Sequence, residues 1–275
     1  MLPRLIHFIH GMVPPQGAGE FGLAEYLGLV TAQAHHPRHK LVLWYGHAPT
    51  GNPYWEAATR LAEAVRVAPP ELVFGRPLHH PAHRADVLRL QVLMQHGGIY
   101  FDTDMLVLRP LDGLFIPAAG MGYQLHPHTG LPCGLGNAVI LGRPRATFLQ
   151  RWLESFEFFH STGKDSAYDF YGVPMPLILA RQYGGDITIL PHTHFFRHSW
   201  DPAGLEAIFT QVVPMGDSHA QHLWASAAGP LMRDLTPERI LWEDSTYNLA
   251  VRPHVAGLSA EWRQAFAAAR PDPEA

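Results

Sequence analysis

Two aspartates at the end of an apolar run are the residues of this sequence best placed to do chemistry. Asp102 and Asp104 lie in the stretch GGIYFDTDMLVLRP, in a chain of which only 16% of the residues are charged. Two like charges in half-buried surroundings repel each other and lose hydration, so they need a compensating partner. We expect a strand here, with both side chains on one face. A divalent cation such as Mg²⁺ or Mn²⁺ would remove the repulsion and still bind phosphate oxygens.

The helix predicted before the aspartates carries a second pair of charges. Asp86 and Arg89 fall within the apolar stripe of HRADVLRLQVLMQHGG, whereas the opposite side is predicted to be solvated. That solvated side contains Arg84, Gln91 and Gln95. Asp86 and Arg89 either form a partly buried ion pair of small value or project beyond the helix into a polar site. The two glycines at the end of the stretch stop the helix and allow a tight turn.

The composition is that of one large folded domain. The chain has 275 residues, 47% of them hydrophobic, which is enough for a sizeable core. Its net charge of −4 provides no overall basic field, so we expect no nucleic-acid partner. The single cysteine, Cys133, excludes an internal disulfide and suits a reducing compartment. No apolar run reaches the roughly 18 to 20 residues of a membrane span, and no secretory signal is evident. We therefore expect a soluble, cytoplasmic protein.

The 19 histidines invite interpretation as a metal centre. They cluster in AHHPRHK, residues 34–40, and in LHHPAH, residues 78–83. Each cluster contains a proline and lies in a predicted loop. Neither presents the helical i, i+4 pair with a nearby acid that is typical of zinc enzymes. We expect these histidines to be solvated loop residues.

Short β-rich runs and helical segments alternate along the first part of the chain. Strands are predicted at 4–10 and 40–46 with a helix between them, followed by a second helix at 54–67 and a strand–helix–strand unit from about 71 to 108. This alternation favours an α/β fold with a mostly parallel sheet, in which ligands bind beyond the carboxyl ends of the strands. The aspartates fall at such an end. Downstream, strands are predicted at 137–142 and 186–191, and helices at 144–159, 173–184 and 259–275.

The segment ADVLRLQVLMQHGGIYFDTDMLVLRPL resembles the signature of the glycosyltransferases known for a DxD sugar-binding motif, glycosyltransferase family 32. That family includes bacterial enzymes that build capsular and surface polysaccharides and fungal mannosyltransferases, and the glucosylating bacterial toxins are more distantly similar. Four further segments resemble the family and, with the signature, touch most of residues 3–228: LPRLIHFIHG, GNAVILGRPRATFL, YGVPMPLILARQYGGDITILPHTHFF and AQHLWASAAG. The chain departs from the family at His10, where members commonly carry tryptophan, and in WASAAG, where a second tryptophan is usual.

The resemblance implies a GT-A-type, Rossmann-like α/β fold in one domain, residues 1–275, with a core at about 3–228 and a helical tail at about 229–275. The implied activity is transfer of a sugar from a nucleotide-sugar to an acceptor hydroxyl, with retention at the anomeric carbon, in the synthesis of surface polysaccharides or glycoconjugates. The acceptor would be a saccharide, a lipid-linked molecule or a protein, which is compatible with a cytoplasmic enzyme working beside a membrane. The cofactor would be Mn²⁺ or Mg²⁺.

The resemblance also implies roles for individual residues. Asp102 and Asp104 would be the catalytic pair, with Asp104 on the metal and Asp102 on the donor ribose and, through water, on the metal. His222 would be a further metal ligand, whereas we expect His219 to point elsewhere. The residues expected to bind the donor are His7, His10, Asp86, Arg89, Tyr100, Asn137 and Trp224.

Two other interpretations remain open at this point. Phosphatases of the haloacid dehalogenase type also place Asp-x-Asp after an apolar strand, with the first acid as nucleophile. That class usually carries Gly-Thr after the motif and an essential lysine downstream, whereas this chain lacks Gly-Thr there and has only Lys164 downstream. The second interpretation is a catalytically inactive GT-A protein that binds sugars or nucleotides. The intact pair of aspartates argues against it.

Overall fold

The computed structural model describes residues 2–14, 21–258 and 260–268. Its strands are β1 (Leu5–His10), β2 (Lys40–Tyr45), β3 (Glu63–Arg66), β4 (Leu72–Val73), β5 (Arg76–Pro77), β6 (Gly98–Phe101), β7 (Met105–Val107), β8 (Ala119–Leu125), β9 (Pro132–Gly142), β10 (Thr188–Leu190) and β11 (Ala220–His222). Its helices are α1 (Leu23–His35), α2 (Pro53–Leu61), α3 (Pro81–His96), α4 (Thr147–Ser155), α5 (Pro174–Gln182), α6 (Pro202–Phe209), α7 (Ala225–Arg233), α8 (Pro237–Trp242), α9 (Thr246–Ala256) and α10 (Ala260–Ala268). Within these described ranges, no helix has the length and apolar character needed to cross a membrane.

Seven strands form the central sheet, in the order β10-β8-β9-β6-β1-β2-β3. The pairs β1–β2, β1–β6, β2–β3 and β8–β10 are parallel, and β9 runs antiparallel to both of its neighbours, β6 and β8. The predicted α/β fold with a mostly parallel sheet is therefore confirmed. The division into a core and a helical tail stays a prediction.

Side chains that alternate across β6 divide the core into two layers. Ile99 and Phe101 join one buried cluster with Leu27 of α1, whereas Tyr100 joins the other with Leu90 of α3. Neighbouring residues of a strand point to opposite faces, so a strand covered by helices on both sides must be apolar throughout. All four residues of β6 are buried. Burial on both faces accounts for the apolar run before the aspartates.

The turn between α3 and β6 depends on its two glycines, as predicted. The backbone N–H of Gly97 donates to the carbonyl of Leu93 at 2.8 Å and ends the helix. Gly97 and Gly98 have φ angles of 65° and 110°. A Cβ atom on Gly98 would lie 2.4 Å from the carbonyl oxygen of Leu5 in β1. Only glycine fits both the positive φ and this close approach, which lets β6 pair with β1 directly after the helix.

Some predicted elements differ from the structure. The helix predicted at 54–67 ends at Leu61, because Glu63–Arg66 pairs in parallel with β2 and extends the sheet. Helix propensity is a weak preference, and pairing at an open sheet edge overrides it. The strand expected near residue 71 is a short hairpin, β4–β5, outside the central sheet. The tail helix is present as α10, and the end of the predicted tail lies outside the described residues.

The aspartate pair does not lie on a strand, so that prediction was wrong. β6 ends at Phe101 and β7 begins at Met105, which places Asp102 and Asp104 in the turn between them. β7 leaves the central sheet and pairs antiparallel with β11. The turn, rather than the alternation of a strand, therefore sets the relation of the two carboxylates.

The histidine clusters are not simply solvated, contrary to the expectation from the sequence. His36 is buried, and its Nε2 accepts a hydrogen bond from the backbone N–H of Leu111 at 2.9 Å. His83 is also buried, with Nε2 2.8 Å from the carbonyl oxygen of Tyr168. Arg84, predicted on the solvated side of α3, donates to two backbone carbonyls. These long side chains connect buried backbone groups of segments that are distant in sequence.

Candidate active site

A cleft of about 430 Å³ lies beside the carboxyl end of β6, where the fold class predicts ligand binding. Its walls come from α3, the strands β8 and β9, the loop before α5, and the closing segment from β11 into α7. The structure brings six residues that were predicted from the sequence to this cleft: Asp86, Arg89, Asp102, Asn137, His222 and Trp224.

Asp86 and Arg89 form the predicted ion pair inside this cleft. Arg89 Nη2 lies 3.1 Å from Asp86 Oδ1, and the side chains of Arg89 and Asp86 are only 5% and 9% exposed, respectively. The side-chain amide of Asn137 donates to the same carboxylate oxygen at 2.8 Å. Burial raises the pKa of Asp86, and the charge of Arg89 opposes that rise. The pair is buried and also in contact with the cleft. The sequence left open a partly buried ion pair or a pair projecting into a polar site, and the structure shows both features at once.

Arg89 also connects this pair to the aspartate turn. Its Nη1 lies 3.3 Å from Asp102 Oδ1 and donates to the carbonyl of Asn137 at 2.7 Å. The guanidinium carbon lies 4.7 Å from the centre of the Tyr100 ring, and the Tyr100 hydroxyl donates to Asp102 Oδ1. Burial disfavours the charge of Arg89, but the Asp102 and Asp86 carboxylates outweigh it and raise its pKa. One permanently charged group thus holds two carboxylates in the cleft.

Asp104 faces the closing segment. Its Oδ2 accepts the N–H of Ala225, the first residue of α7, at 2.8 Å and lies 3.1 Å from Nε2 of His222. A carboxylate at a helix N-terminus is stabilised by the free N–H groups and the helix dipole. Burial opposes ionisation of Asp104, but His222 and these hydrogen bonds outweigh it and lower its pKa. Burial likewise opposes the charge of His222, and the Asp104 carboxylate outweighs it and raises the pKa of His222.

The chemistry of this cluster fits a divalent cation. The donor atoms of Asp102, Asp104 and His222 lie within 4.8 Å of one another, and the described part of the chain contains no second group of this kind. Carboxylate oxygens suit both Mg²⁺ and Mn²⁺, and Mn²⁺ accepts an imidazole nitrogen more readily. A cation between His222 and Asp104 would replace the proton that they share. Within the described residues, Nδ1 of His222 is buried without a hydrogen-bond partner, so the polar contact of this ring is made by Nε2 alone.

Trp224 lines the cleft and packs against His222, one of these possible ligands. Its ring centre is 4.1 Å from that of His222, and its Nε1 donates to the carbonyl of His198 at 2.8 Å. Its backbone has φ 60° and ψ 52°, a left-handed conformation that costs a non-glycine residue roughly 1–2 kcal/mol. Such a conformation persists only where the surrounding contacts over-determine it. The position of the indole at the start of α7 is therefore tightly specified.

Comparison with known proteins decides the family. Residues 30–120 match the family described as the glycosyltransferase sugar-binding region containing DXD motif. Glucan organizing enzyme 1 of Cryptococcus neoformans var. grubii serotype A is 31% identical over 267 residues, which cover 93% of this chain and 71% of that protein. This chain belongs to the glycosyltransferases that carry the DXD-containing region. The aspartates of the β6–β7 turn are the DXD motif of this glycosyltransferase.

One solved glycosyltransferase structure agrees with the fold of this chain. The bifunctional glycosyltransferase WbbM aligns with a TM-score of 0.55 at 6% identity, covering 98% of this chain and 52% of that one. The galactosyltransferase LgtC aligns with a TM-score of 0.45 at 18% identity, covering 95% of this chain and 99% of that one. At 6% identity, the similarity to WbbM concerns the fold alone. The glycosyltransferase assignment itself rests on the family and on the relative described above.

The structure does not bring His7 and Tyr100 to the surface of the glycosyltransferase cleft. Nδ1 of His7 accepts a hydrogen bond from the indole of Trp44 at 3.2 Å, so its Nε2 donates to the carbonyl of Gly97 at 2.8 Å. Burial lowers the pKa of His7 to about 4, so the ring is a neutral support for the glycine turn. Tyr100 is buried and reaches the cleft only through Asp102. Direct donor contacts by these two residues stay predictions without geometric support.

His10 and His219 also lie apart from the cation ligands. His10 packs against Phe21 and Trp55 at ring-centre distances of 5.0 and 5.5 Å, and burial lowers its pKa to about 4. Its suggested contact with the nucleotide base stays a prediction. Nδ1 of His219 lies 2.8 Å from the carbonyl oxygen of Pro110, so the ring is directed away from His222.

Several residues that line the cleft of the glycosyltransferase were not predicted from its sequence, among them Gln124, Tyr168, Asp169 and Trp200. Two of them lie in an irregular loop before α5, where no periodic pattern could indicate which side chains face inward. Gly172 was the available signal, in the segment YGVPMP. A Cβ atom there would lie 2.7 Å from Asn137 Nδ2 and 3.2 Å from Asp86 Oδ2. Glycine at this position lets the loop approach the polar residues of the cleft.

Proposed function

We propose that this glycosyltransferase moves a sugar from a nucleotide-sugar donor to an acceptor hydroxyl with retention at the anomeric carbon, and that it depends on Mn²⁺ or Mg²⁺. The observation that carries the proposal is the convergence of Asp102, Asp104 and His222 within 4.8 Å. This cluster adjoins the Asp86–Arg89 pair in a cleft of the size used for small ligands. A diphosphate needs a cation, and a sugar ring needs polar side chains for its hydroxyls, so a nucleotide-sugar needs the two groups of residues side by side.

The chain supplies two sets of contacts for the donor. A cation held by Asp102, Asp104 and His222 would act as a Lewis acid that neutralises the departing nucleoside diphosphate. Arg89 fixes the orientation of Asp86 and Asp102 through its contacts at 3.1 and 3.3 Å. Asp86 and Asn137 then present a carboxylate and an amide to the hydroxyls of the donor sugar. Asp102 can reach the ribose from the other side of Arg89.

The charge arrangement supports retention without a covalent intermediate. Arg89 pairs with Oδ1 of both Asp86 and Asp102. The same Oδ1 atoms also accept hydrogen bonds, from Asn137 in the case of Asp86 and from Tyr100 in the case of Asp102. A carboxylate held in this way is a weak nucleophile. The proton of the acceptor hydroxyl would therefore pass to the leaving phosphate. Asp169, exposed in the wall of the cleft, is the alternative base that an inverting reaction would need.

The biological setting is also part of the proposal. The relative in Cryptococcus is named for glucan, so glucose-containing polymers are the first acceptors to test. We propose that the enzyme acts in the cytoplasm, at the membrane surface, in the synthesis of surface polysaccharides or glycoconjugates. Membership of the glycosyltransferase family leaves the phosphatase interpretation without support, and Lys164, the lysine it would need, is exposed.

The decisive experiment measures turnover of nucleotide-sugars by the purified protein with Mn²⁺, with Mg²⁺ and with a chelator. We expect donor hydrolysis that needs the cation, transfer to a glucan oligosaccharide, and a product with the anomeric configuration of the donor by NMR. Asp104→Asn should lower turnover by more than tenfold, a loss above about 1.4 kcal/mol. Asp234→Asn, which changes an exposed aspartate that does not line the cleft, is the matched control.

Three results would contradict the proposal. Turnover that persists in chelator would remove the role of the cation. If the product has the inverted anomeric configuration and Asp169→Asn loses activity, the base is Asp169 and not the leaving phosphate. Binding of nucleotide-sugars without any turnover would indicate a sugar-binding protein of this fold.

A further inference from the structure

The wall of the cleft beyond Trp224 has a different chemistry from the cation end. Trp200 meets Trp224 with ring centres 5.1 Å apart and an interplanar angle of 64°. His222, Trp224 and Trp200 therefore form a continuous series of rings in which Trp224 contacts the other two. The cation ligands and the Asp86–Arg89 pair account for a diphosphate and a donor sugar. Trp200 lies on the far side of Trp224 from its contact with His222 in the series of rings, and it lines the same cleft.

Trp200 lies in a segment that the closing strand holds rigidly. The buried side chain of Gln221 accepts the N–H of His198 at 3.0 Å and donates to the carbonyl of His198 at 2.7 Å. The same carbonyl accepts the indole N–H of Trp224 at 2.8 Å. Trp200 lies two residues after His198, the residue held by these hydrogen bonds, and just before helix α6. A preorganised aromatic surface loses little entropy when a ligand binds to it.

The polar groups of the cleft that Trp200 lines define what could bind there. The carboxylate of Asp169, the amide of Gln124 and the side chain of Tyr168 line the same cleft. Arg89 and His222 are the basic side chains among the described lining residues. Arg89 is engaged by Asp86 and Asp102, and His222 by Asp104. A phosphorylated acceptor would therefore find an acidic wall without a free cation. An apolar face combined with planar carboxylate and amide groups suits a neutral sugar ring, which has C–H faces and a rim of hydroxyls.

We propose that Trp200 is the platform of an acceptor subsite, and that the acceptor is a neutral saccharide whose ring stacks on this indole. Asp169, Gln124 and Tyr168 bind its hydroxyls. The inference rests on the proposed function, because only a group-transfer enzyme needs a second substrate here. In the transfer, the acceptor oxygen forms a bond to the anomeric carbon, the bond to the diphosphate breaks, and the hydroxyl proton passes to the leaving phosphate.

The test compares Trp200→Ala and Trp200→Phe with wild type in two assays. Saturation-transfer NMR with Mg²⁺ and a nucleoside diphosphate measures binding of neutral disaccharides (cellobiose, laminaribiose, maltose and lactose). Donor hydrolysis without acceptor measures the cation and donor site separately. Trp200→Phe keeps an aromatic ring in the packing if Trp200→Ala fails to fold. Trp242→Ala removes a tryptophan that is 85% exposed and lies outside the cleft, and it is the matched control.

We expect at least one neutral disaccharide to bind and to be a substrate. Trp200→Ala should raise its KM by about tenfold or more, which corresponds to about 1.4 kcal/mol, with an intermediate effect for Trp200→Phe. Donor hydrolysis and the melting temperature of Trp200→Phe should stay close to wild type, and Trp242→Ala should change nothing.

Other outcomes overturn the inference in ways that can be told apart. If no donor is hydrolysed or transferred by wild type, the proposed function fails. If donor is hydrolysed but no disaccharide binds, or a polyprenyl phosphate or a serine-containing peptide is the acceptor instead, the inference alone fails. The acceptor subsite is also excluded if the Trp200 variants weaken donor and acceptor binding equally.

Discussion

Replacing Arg89 should affect both the stability of the fold and the binding of the donor. Its guanidinium lies 3.1 Å from Asp86 and 3.3 Å from Asp102, and its side chain is 5% exposed. We expect Arg89→Met to leave the buried Asp86 and the half-buried Asp102 without their cation and to lower the free energy of unfolding by about 3–5 kcal/mol. Donor affinity should fall as well, since Asp86 would no longer be held toward the sugar. Urea unfolding and donor titration of the same variant measure the two effects.

A double variant shows whether unpaired charge is the cause of that loss. Asp86→Asn combined with Arg89→Met removes one of the two abandoned carboxylates but keeps its shape. We expect the double variant to be more stable than Arg89→Met alone, because contacting residues are not additive. If the two losses simply add, the packing of the Arg89 stem, and not its charge, stabilises this part of the fold.

The Asp104–His222 pair predicts a pH dependence for the metal-free protein. Because the pKa of Asp104 is lowered in the folded protein, its ionised carboxylate stabilises the fold, and this stabilisation is lost as pH falls through the folded pKa of Asp104. Because the pKa of His222 is raised, its protonated ring stabilises the fold, and this stabilisation is lost as pH rises through the folded pKa of His222. The pair should therefore stabilise most in mildly acidic solution. Cation binding must displace the proton of His222, so Mn²⁺ affinity should rise with pH. Melting curves and Mn²⁺ titrations across pH measure both trends.

A variant without the imidazole gives the corresponding control. His222→Gln keeps a polar side chain that does not titrate. Its melting temperature should lose the decline above neutral pH, and its remaining Mn²⁺ affinity should vary less with pH. An unchanged pH profile in His222→Gln would assign the titration to another group.

The α3–β6 turn shows how one short connection determines the position of the site. Gly98 combines a φ of 110° with a Cβ position that would be 2.4 Å from the carbonyl of Leu5. We expect Gly98→Ala to destabilise the protein by more than the roughly 1 kcal/mol that a positive φ alone costs an alanine. Gly75→Ala shares the positive φ, at 76°, but its Cβ would meet nothing within 4 Å. Urea unfolding of both variants separates the steric clash from the backbone effect, and equal losses would exclude the clash.

Elements with strong local signals were predictable from the sequence. The pattern of α3, its terminal glycines and the apolar run of β6 indicated the helix, the turn and a strand, whereas the burial of both faces of that strand came only from the structure. β3 was not predictable, because its alanine-containing sequence continues a helical pattern and becomes a strand only through pairing with β2. The positions of Asp86, Arg89, Asn137 and His222 came from motif resemblance, whereas their mutual distances depend on contacts between segments far apart in sequence. Trp200 had no local signal at all.

At the scale of the whole molecule, the site joins parts of both core layers, so ligand binding should stabilise the complete fold. At a concentration one hundred times Kd, a ligand that binds only the folded state adds about 2.7 kcal/mol. We expect Mn²⁺ with a suitable nucleoside diphosphate to raise the melting temperature, and Mn²⁺ alone to raise it less. A thermal-shift screen measures this. Asp104→Asn should show little response, and a full response in that variant would place the ligand elsewhere.

The hydrogen bond from Ala225 to Asp104 spans 121 positions of the chain. Every strand of the central sheet precedes residue 191, so a growing polypeptide has made the whole sheet before His222 leaves the ribosome. At that stage Asp86, Arg89 and Asn137 are available, but the third possible cation ligand and the start of α7 are not. Competence to break down a donor should therefore appear only after His222 and Ala225 have been made. A chain truncated before His222 is therefore expected not to break down the nucleotide-sugars of the cell.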